Sequence, residues 1–186
     1  MHGGDTLNVN HHMAVEAQWY ALDFAKVGGA TGRALATTSP PECADFYGWG
    51  AQVLAPADAT VVAADDGWPD NSVGTTDPQH PLGNHIVLQH NDRFYWLAHL
   101  QRGSLAVRRA DRVDQGGVLA LCGNSGNSDF PHVHLHASRS QVFGQGRGEN
   151  LIFSSIDVEL TGARFANVDW PLIRGLFVAN HIAGGV

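Results

Sequence analysis

Three histidines stand at every second position in the stretch DFPHVHLHA, residues 129–137: His132, His134 and His136. Alternate side chains of a β-strand share a face, so this spacing predicts three imidazoles pointing the same way. Such a row could be a polar outer surface. It could also hold a metal, because neutral imidazole is the commonest biological zinc ligand. Two strand positions at i and i+2 lie about 7 Å apart at their Cα atoms. That spacing lets both bind one ion, or lets one bind while its neighbour handles a proton.

A hydrolytic zinc site needs three protein donors and an open position for water. Asp23, inside QWYALDFA, is a candidate donor. Aspartate is disfavoured in strands, and a carboxylate buried in an aliphatic run must be paired, hydrogen-bonded or metal-bound. His99 is the polar member of FYWLAHL, and alone it reads equally as a core or edge residue. His11 and His12, adjacent in NVNHHMA, read alone as solvated. Each part is ambiguous; a strand carboxylate, an apolar-strand histidine and an alternating pair together point to a metal centre.

Those residues need a scaffold, and strand signals dominate the chain. Residues 19–25, 59–65, 85–90, 94–100, 117–123 and 132–137 are short apolar runs rich in β-branched or aromatic residues, separated by Gly, Pro, Asn and Asp. QHNDRF reads as a hairpin turn. Helical periodicity is nearly absent, with DWPLIRGLF offering a turn or two. The expectation is an all-β fold, an antiparallel β-sandwich or partly open barrel with long groove-forming loops. The polar, Gly- and Pro-rich loop of residues 67–84 is of a length that is usually functional. GAQVLAPADATVVA and ADRVDQGGVLAL echo each other as strand–turn–strand units. The chain is expected to be one domain over residues 1–186. Its core spans about residues 3–140, and strands within 141–186 complete or flank it.

Composition narrows the function. A net charge of −7 and a single lysine, Lys26, leave no basic stripe for nucleic acid. No stretch approaches the ~20 apolar residues of a membrane span. Eleven histidines equal lysine and arginine combined, an excess that asks for an explanation. MHGGDTLNVN has neither the basic nor the apolar region of a signal peptide. Cys43 and Cys122 fit no CxxC knuckle and are open to either a disulfide or two separate thiols.

Three stretches, YGWGAQVLAPADATVVAADDG, FYWLAHLQRGSLAVRRADRVDQGGVLA and CGNSGNSDFPHVHLH, make the sequence resemble the lysostaphin- or LytM-type zinc metallopeptidases, which cut peptide cross-links in bacterial cell walls. The resemblance covers roughly residues 3–137. It implies one zinc ion per chain, held by His12, Asp23 and His134, with His132 and His99 as the catalytic histidines. It selects His12 over His11, because Asn10, Gln18, Tyr20 and Asp23 then fall in place. It gives His136 no role, so His136 is expected beside the ligands or on the surface. It also implies a peptide or peptidoglycan substrate, a monomer, and action outside the cytoplasm. Trp19 stands where arginine is frequent, and Ala59 and Ala110 replace glycines common at two turns. No HExxH helix is present, so the base must be His132 or His99, with His132 preferred. The alternatives are a non-catalytic wall-binding or hydrolase-activating module, and a peptidase of non-wall peptides.

Overall fold

The computed structural model of the chain describes residues 11–160, 162–171 and 177–180. Twelve strands make up its regular structure: β1 Leu22–Phe24, β2 Gln52–Leu54, β3 Ala59–Asp65, β4 Asn84–His90, β5 Arg93–Leu100, β6 Arg112–Val113, β7 Val118–Leu121, β8 Val133–Ser138, β9 Gly148–Glu149, β10 Ile152–Leu160, β11 Ala163–Pro171 and β12 Phe177–Asn180. Helical structure among the described residues is confined to short 3-10 turns at His11–Ala14, Glu16–Gln18 and Cys43–Asp45. The fold is all-β and antiparallel, as expected, and its main sheet does not close into a barrel. That sheet runs β1-β8-β5-β4-β3-β6, with β9 on β8; β2 pairs with β7, and β10 lies between β11 and β12.

The expected hairpin forms where QHNDRF stands. His90 pairs with Arg93, and Asn91 takes the left-handed backbone at φ 55°, which asparagine tolerates better than most residues. The two echoing segments interlock: β2 of the first pairs with β7 of the second, and β3 of the first with β6 of the second. Val61, Leu119 and Ala120 bury with Ile86 and Leu88 of β4, Leu97 and Leu100 of β5, and Leu135 of β8 in one core. Full burial of each such leucine or isoleucine contributes about 1.5–3 kcal/mol.

The C-terminal strands flank this core. Ile156 and Val158 of β10 bury against Leu22 of β1, and Phe153 meets Phe24 edge-on with ring centroids 5.7 Å apart. The sequence reading anticipated β10 and β12 but not β11, whose ARFANVDWP lacks a clean alternation. Of DWPLIRGLF, read as a helical turn, Asp169–Pro171 instead finish β11, and residues 172–176 lie outside the described residues. Cys43 and Cys122 are both free thiols. Burial, with a smaller push from Asp70, raises the Cys122 thiol to about 12, which makes it an inert core group.

Candidate metal centre and active site

β1 and β8 bring the first two donors together. They pair with Asp23 opposite His134, and directly opposed side chains of an antiparallel pair share a face. His134 Nδ1 lies 3.1 Å from Asp23 Oδ1. The 3-10 turn at His11–Ala14 delivers the third: His12 Nε2 lies 3.5 Å from the same oxygen, and the His12 and His134 rings meet edge-on at 4.7 Å. His12, Asp23 and His134 are all buried, and one donor atom from each lies within 4.8 Å of the others. His12, read from its neighbours alone as a solvated residue, is inside. The side chain of His11 lies outside the described residues.

The donor chemistry fits a zinc ion: two imidazoles and one carboxylate, converging and shielded from water. Burial alone pushes the Asp23 carboxyl up. The imidazoles of His134, His12 and His132 outweigh it and hold the group well below the usual carboxylate range. Asp23 is therefore an anion at neutral pH, the form a metal requires.

His132 and His99 sit beside this cluster. The His132 Nε2 is 3.7 Å from Asp23 Oδ1, and the His99 and His132 ring centroids are 4.9 Å apart. In each ring Nδ1 faces a main-chain carbonyl, Phe130 at 2.8 Å for His132 and Ser125 at 2.9 Å for His99. A carbonyl only accepts, so both Nδ1 atoms carry the proton and both Nε2 atoms keep a lone pair in the neutral ring. Burial, then the neighbouring imidazoles His132 and His134, hold the His99 pKa well below the ordinary histidine value. For His132 burial also lowers the pKa, but the Asp23 charge pulls it back.

His99 reaches the site through an irregularity. Trp96 pairs with His136 and Ala98 with His134, so even-numbered residues of β5 face the site while Tyr95 and Leu97 enter the core. Regular alternation would send His99 into the core as well. Between the pairs Asn84–Leu100 and Ile86–Leu97, however, β5 holds one residue more than β4. The bulge re-aims His99, whose φ is 63°. That left-handed backbone is held by hydrogen bonds from His99 N to Leu82 O (3.1 Å) and from Gly123 N to His99 O (3.1 Å).

A cleft of about 290 Å³ opens over His12, Asp23, His99 and His132, walled by Thr76 of the 67–84 loop and by Asn127, Asp129 and Phe130. Residues that the sequence reading passed over hold the walls. Asn84, fully buried, accepts from Gly67 N and Trp68 N and donates to Trp68 O and Leu100 O. Asn71 Nδ2 donates to Gly126 O and Ser128 O, tying the long loop to the 124–130 loop. The loops touch backbone to backbone at Gly83 and Gly126, where a Cβ on Gly126 would fall 2.4 Å from Gly83 N. Only glycine fits there, and the GNSG run is the signal that could have revealed it.

A buried three-donor cluster flanked by two oriented imidazoles at the floor of an open cleft has the layout of a metal-assisted hydrolase. The chain belongs to Peptidase family M23, whose sequence model matches residues 45–145. His99, His132 and His134 fall inside the matched stretch, and His12 and Asp23 precede it. Among curated proteins it is 42% identical over 55 residues to Endolysin 2638A of Staphylococcus phage 2638A, covering 29% of this chain and 11% of that protein. It is 30% identical over 78 residues to the peptidoglycan DD-endopeptidase ShyA of Vibrio cholerae serotype O1, covering 41% and 17%. The chain thus matches only a small part of either relative's length. Among solved structures it is similar to the catalytic domain of the antimicrobial peptidase lysostaphin from Staphylococcus simulans, with 22% identity over 72% of this chain and 94% of that one and a TM-score of 0.43.

Proposed function

We propose that the protein is a zinc-dependent endopeptidase that hydrolyses peptide bonds of peptidoglycan stems or cross-links. It acts outside the cytoplasm as a monomer, and residues 1–186 form one peptidase domain. The observation that carries this reading is the convergence of His12, Asp23 and His134 within 4.8 Å, beside two histidines whose Nε2 lone pairs are free to take a proton. The wall-directed relatives supply the substrate class. His12, Asp23 and His134 would hold the metal, which when bound supplies Lewis-acid polarisation of the scissile carbonyl and acidifies a water.

His132 takes the proton from the attacking water at Nε2. Its imidazolium is favoured by Asp23 3.7 Å away, whereas burial and the imidazoles of His132 and His134 hold His99 well below the ordinary histidine value. Once protonated, His132 donates from Nε2 to the tetrahedral oxyanion or the departing amine. His99, neutral with its proton on Nδ1, accepts at Nε2 and orients the water or a substrate N–H. Thr76 and the Asn127–Phe130 wall leave a trough for an extended peptide.

Digestion of purified peptidoglycan with and without a zinc chelator, read by the masses of released muropeptides, tests the proposal. Chelator-sensitive release of peptide-cleaved fragments is the expected result and names the bond. Intact peptidoglycan after incubation with zinc-loaded protein would refute the wall substrate.

A further inference from the structure

His136 has no task in the reaction just described, yet it is no surface residue. It is 1% exposed, and its Nδ1 lies 2.8 Å from His134 Nε2. Its ring lies flat against Trp96, its cross-strand partner, with 6° between planes and centroids 5.6 Å apart. Trp96 is itself fixed by donation from Nε1 to Ser138 Oγ at 3.3 Å. His136 Nε2 is buried and has no hydrogen-bond partner among the described residues. A strand simply closing its outer face would not place a ring there with one nitrogen aimed at a candidate ligand.

Two nitrogens 2.8 Å apart share one proton, so one ring donates and the other accepts. Two neutral arrangements follow. In the first, His134 carries its proton on Nδ1, toward Asp23, and accepts at Nε2 from His136 Nδ1. In the second, His134 carries its proton on Nε2 and donates it to His136 Nδ1, which leaves the His134 Nδ1 lone pair directed at the Asp23 side. Only the second offers a metal a donor at Nδ1.

We infer that His136 is the positioning residue for His134. It accepts the His134 Nε2 proton and so fixes the tautomer that can ligate through Nδ1, and the two rings change tautomer together when the metal enters. The protons balance, because each ring carries one in both arrangements. From the first to the second, the shared proton passes from His136 Nδ1 to His134 Nε2, His134 Nδ1 gives one proton to solvent, and His136 Nε2 takes one from solvent, so none is gained or lost overall. The Trp96 stack keeps the accepting nitrogen in line. This inference rests on the metal reading proposed above.

The test uses the intact protein, metal-free and zinc-loaded, as wild type, His136→Leu and His136→Asn. Zinc affinity is read by competition with a chromophoric chelator, and tautomers by long-range ¹H–¹⁵N NMR of the imidazoles. In the wild type, Nδ1–H on both rings without metal and Nε2–H on both with zinc are expected. Loss of such a supporting hydrogen bond commonly weakens metal binding about 10- to 100-fold, and that loss is expected for His136→Leu. His136→Asn, whose amide oxygen can accept where Nδ1 did, should recover most of it. An Nδ1–H on His134 in the zinc-loaded protein, or wild-type zinc affinity in His136→Leu, overturns the inference. If His136→Leu does not fold, the wild-type spectra decide alone. Failure of the wild type to take up zinc overturns the metal reading itself, an outcome separate from the other two.

Discussion

Strands β5 and β8 present two faces that are equally hidden from water and chemically opposite. Tyr95, Leu97, Leu135 and Ala137 on one face are 9, 3, 5 and 1% exposed; Trp96, His134, His136 and Ser138 on the other are 4, 4, 1 and 1%. The first face gains from every square ångström it removes from water. The second is stable only if its polar atoms find partners. Most find them close by, Asp23 with His134, His134 with His136, Trp96 with Ser138, and Ser138 with the Ser140 carbonyl, and His136 Nε2 is the exception among the described residues. A packed face degrades gradually when an atom is lost, whereas a polar network loses a defined role with each member. Mutations on the two faces should therefore fail in different currencies, one in stability and the other in chemistry or metal.

The sharpest separation is expected at His132. His132→Ala should lower kcat/KM about 10²- to 10⁴-fold, the usual contribution of a general base, while zinc content by elemental analysis stays at one per chain. His134→Ala should instead lose the metal. Zinc lost from His132→Ala would collapse the division between ligand and base. Across the sheet, Leu97→Ala should cost about 2–5 kcal/mol of stability through the cavity it leaves, measured by urea unfolding of metal-free protein. Zinc affinity per folded molecule should be unchanged, and a parallel loss of affinity would mean the two faces are not independent.

Acid should distinguish the faces without any mutation. Burial, chiefly, holds His99 and His136 well below the ordinary histidine value of 6.5. Below pH 6.5 the unfolded chain therefore binds protons that the folded chain refuses, and stability of the metal-free protein falls as pH drops through that value. Asp23 adds a second window: its folded pKa is depressed, so its stabilising contribution is present above the unfolded value of 3.8 and is lost as pH falls further. Melting temperatures from pH 8 to pH 4 should show the first loss beginning near 6.5. A flat profile would mean that the polar face is not buried in neutral form.

Much of this face was legible in the sequence, and for a reason that also marks the limit. Period-two spacing is a local property, so DFPHVHLHA announced a shared face for His132, His134 and His136, and an aspartate in an apolar run announced Asp23. What the spacing could not show was depth. His136, read as lying beside the ligands or at the surface, is buried because Trp96 covers it, a contact set by pairing across 40 residues. His99 stood out as the polar member of an apolar strand, but only the family resemblance gave it a catalytic role; alternation along β5 points it to the core, and one extra residue in β5 reverses that. The roles of Asn84 and Asn71 depend on where loops far apart in sequence meet. β11 went unseen because its side chains, mostly exposed, carry no apolar alternation.

Ala59 and Ala110 make the same point at smaller scale, because the sequence reading treated them alike as stand-ins for turn glycines and the backbone separates them. Ala110 has φ 77°, and an L-residue there costs about 1–2 kcal/mol. Its amide donates to Val61 O at 2.8 Å, so the turn cannot relax without breaking a bond that anchors β3. Glycine would relieve the strain and lose about 0.5–1 kcal/mol to its freer unfolded chain. Ala110→Gly should thus stabilise the protein by roughly 0.5–1 kcal/mol. Ala59 begins β3, paired with Val113; there glycine has no strain to relieve, and Ala59→Gly should destabilise by about 0.5–1 kcal/mol. Denaturant midpoints for the two variants should move in opposite directions with kcat/KM unchanged, since neither residue lines the cleft. Shifts of the same sign would mean that the Ala110 turn is not under the strain its backbone angle implies.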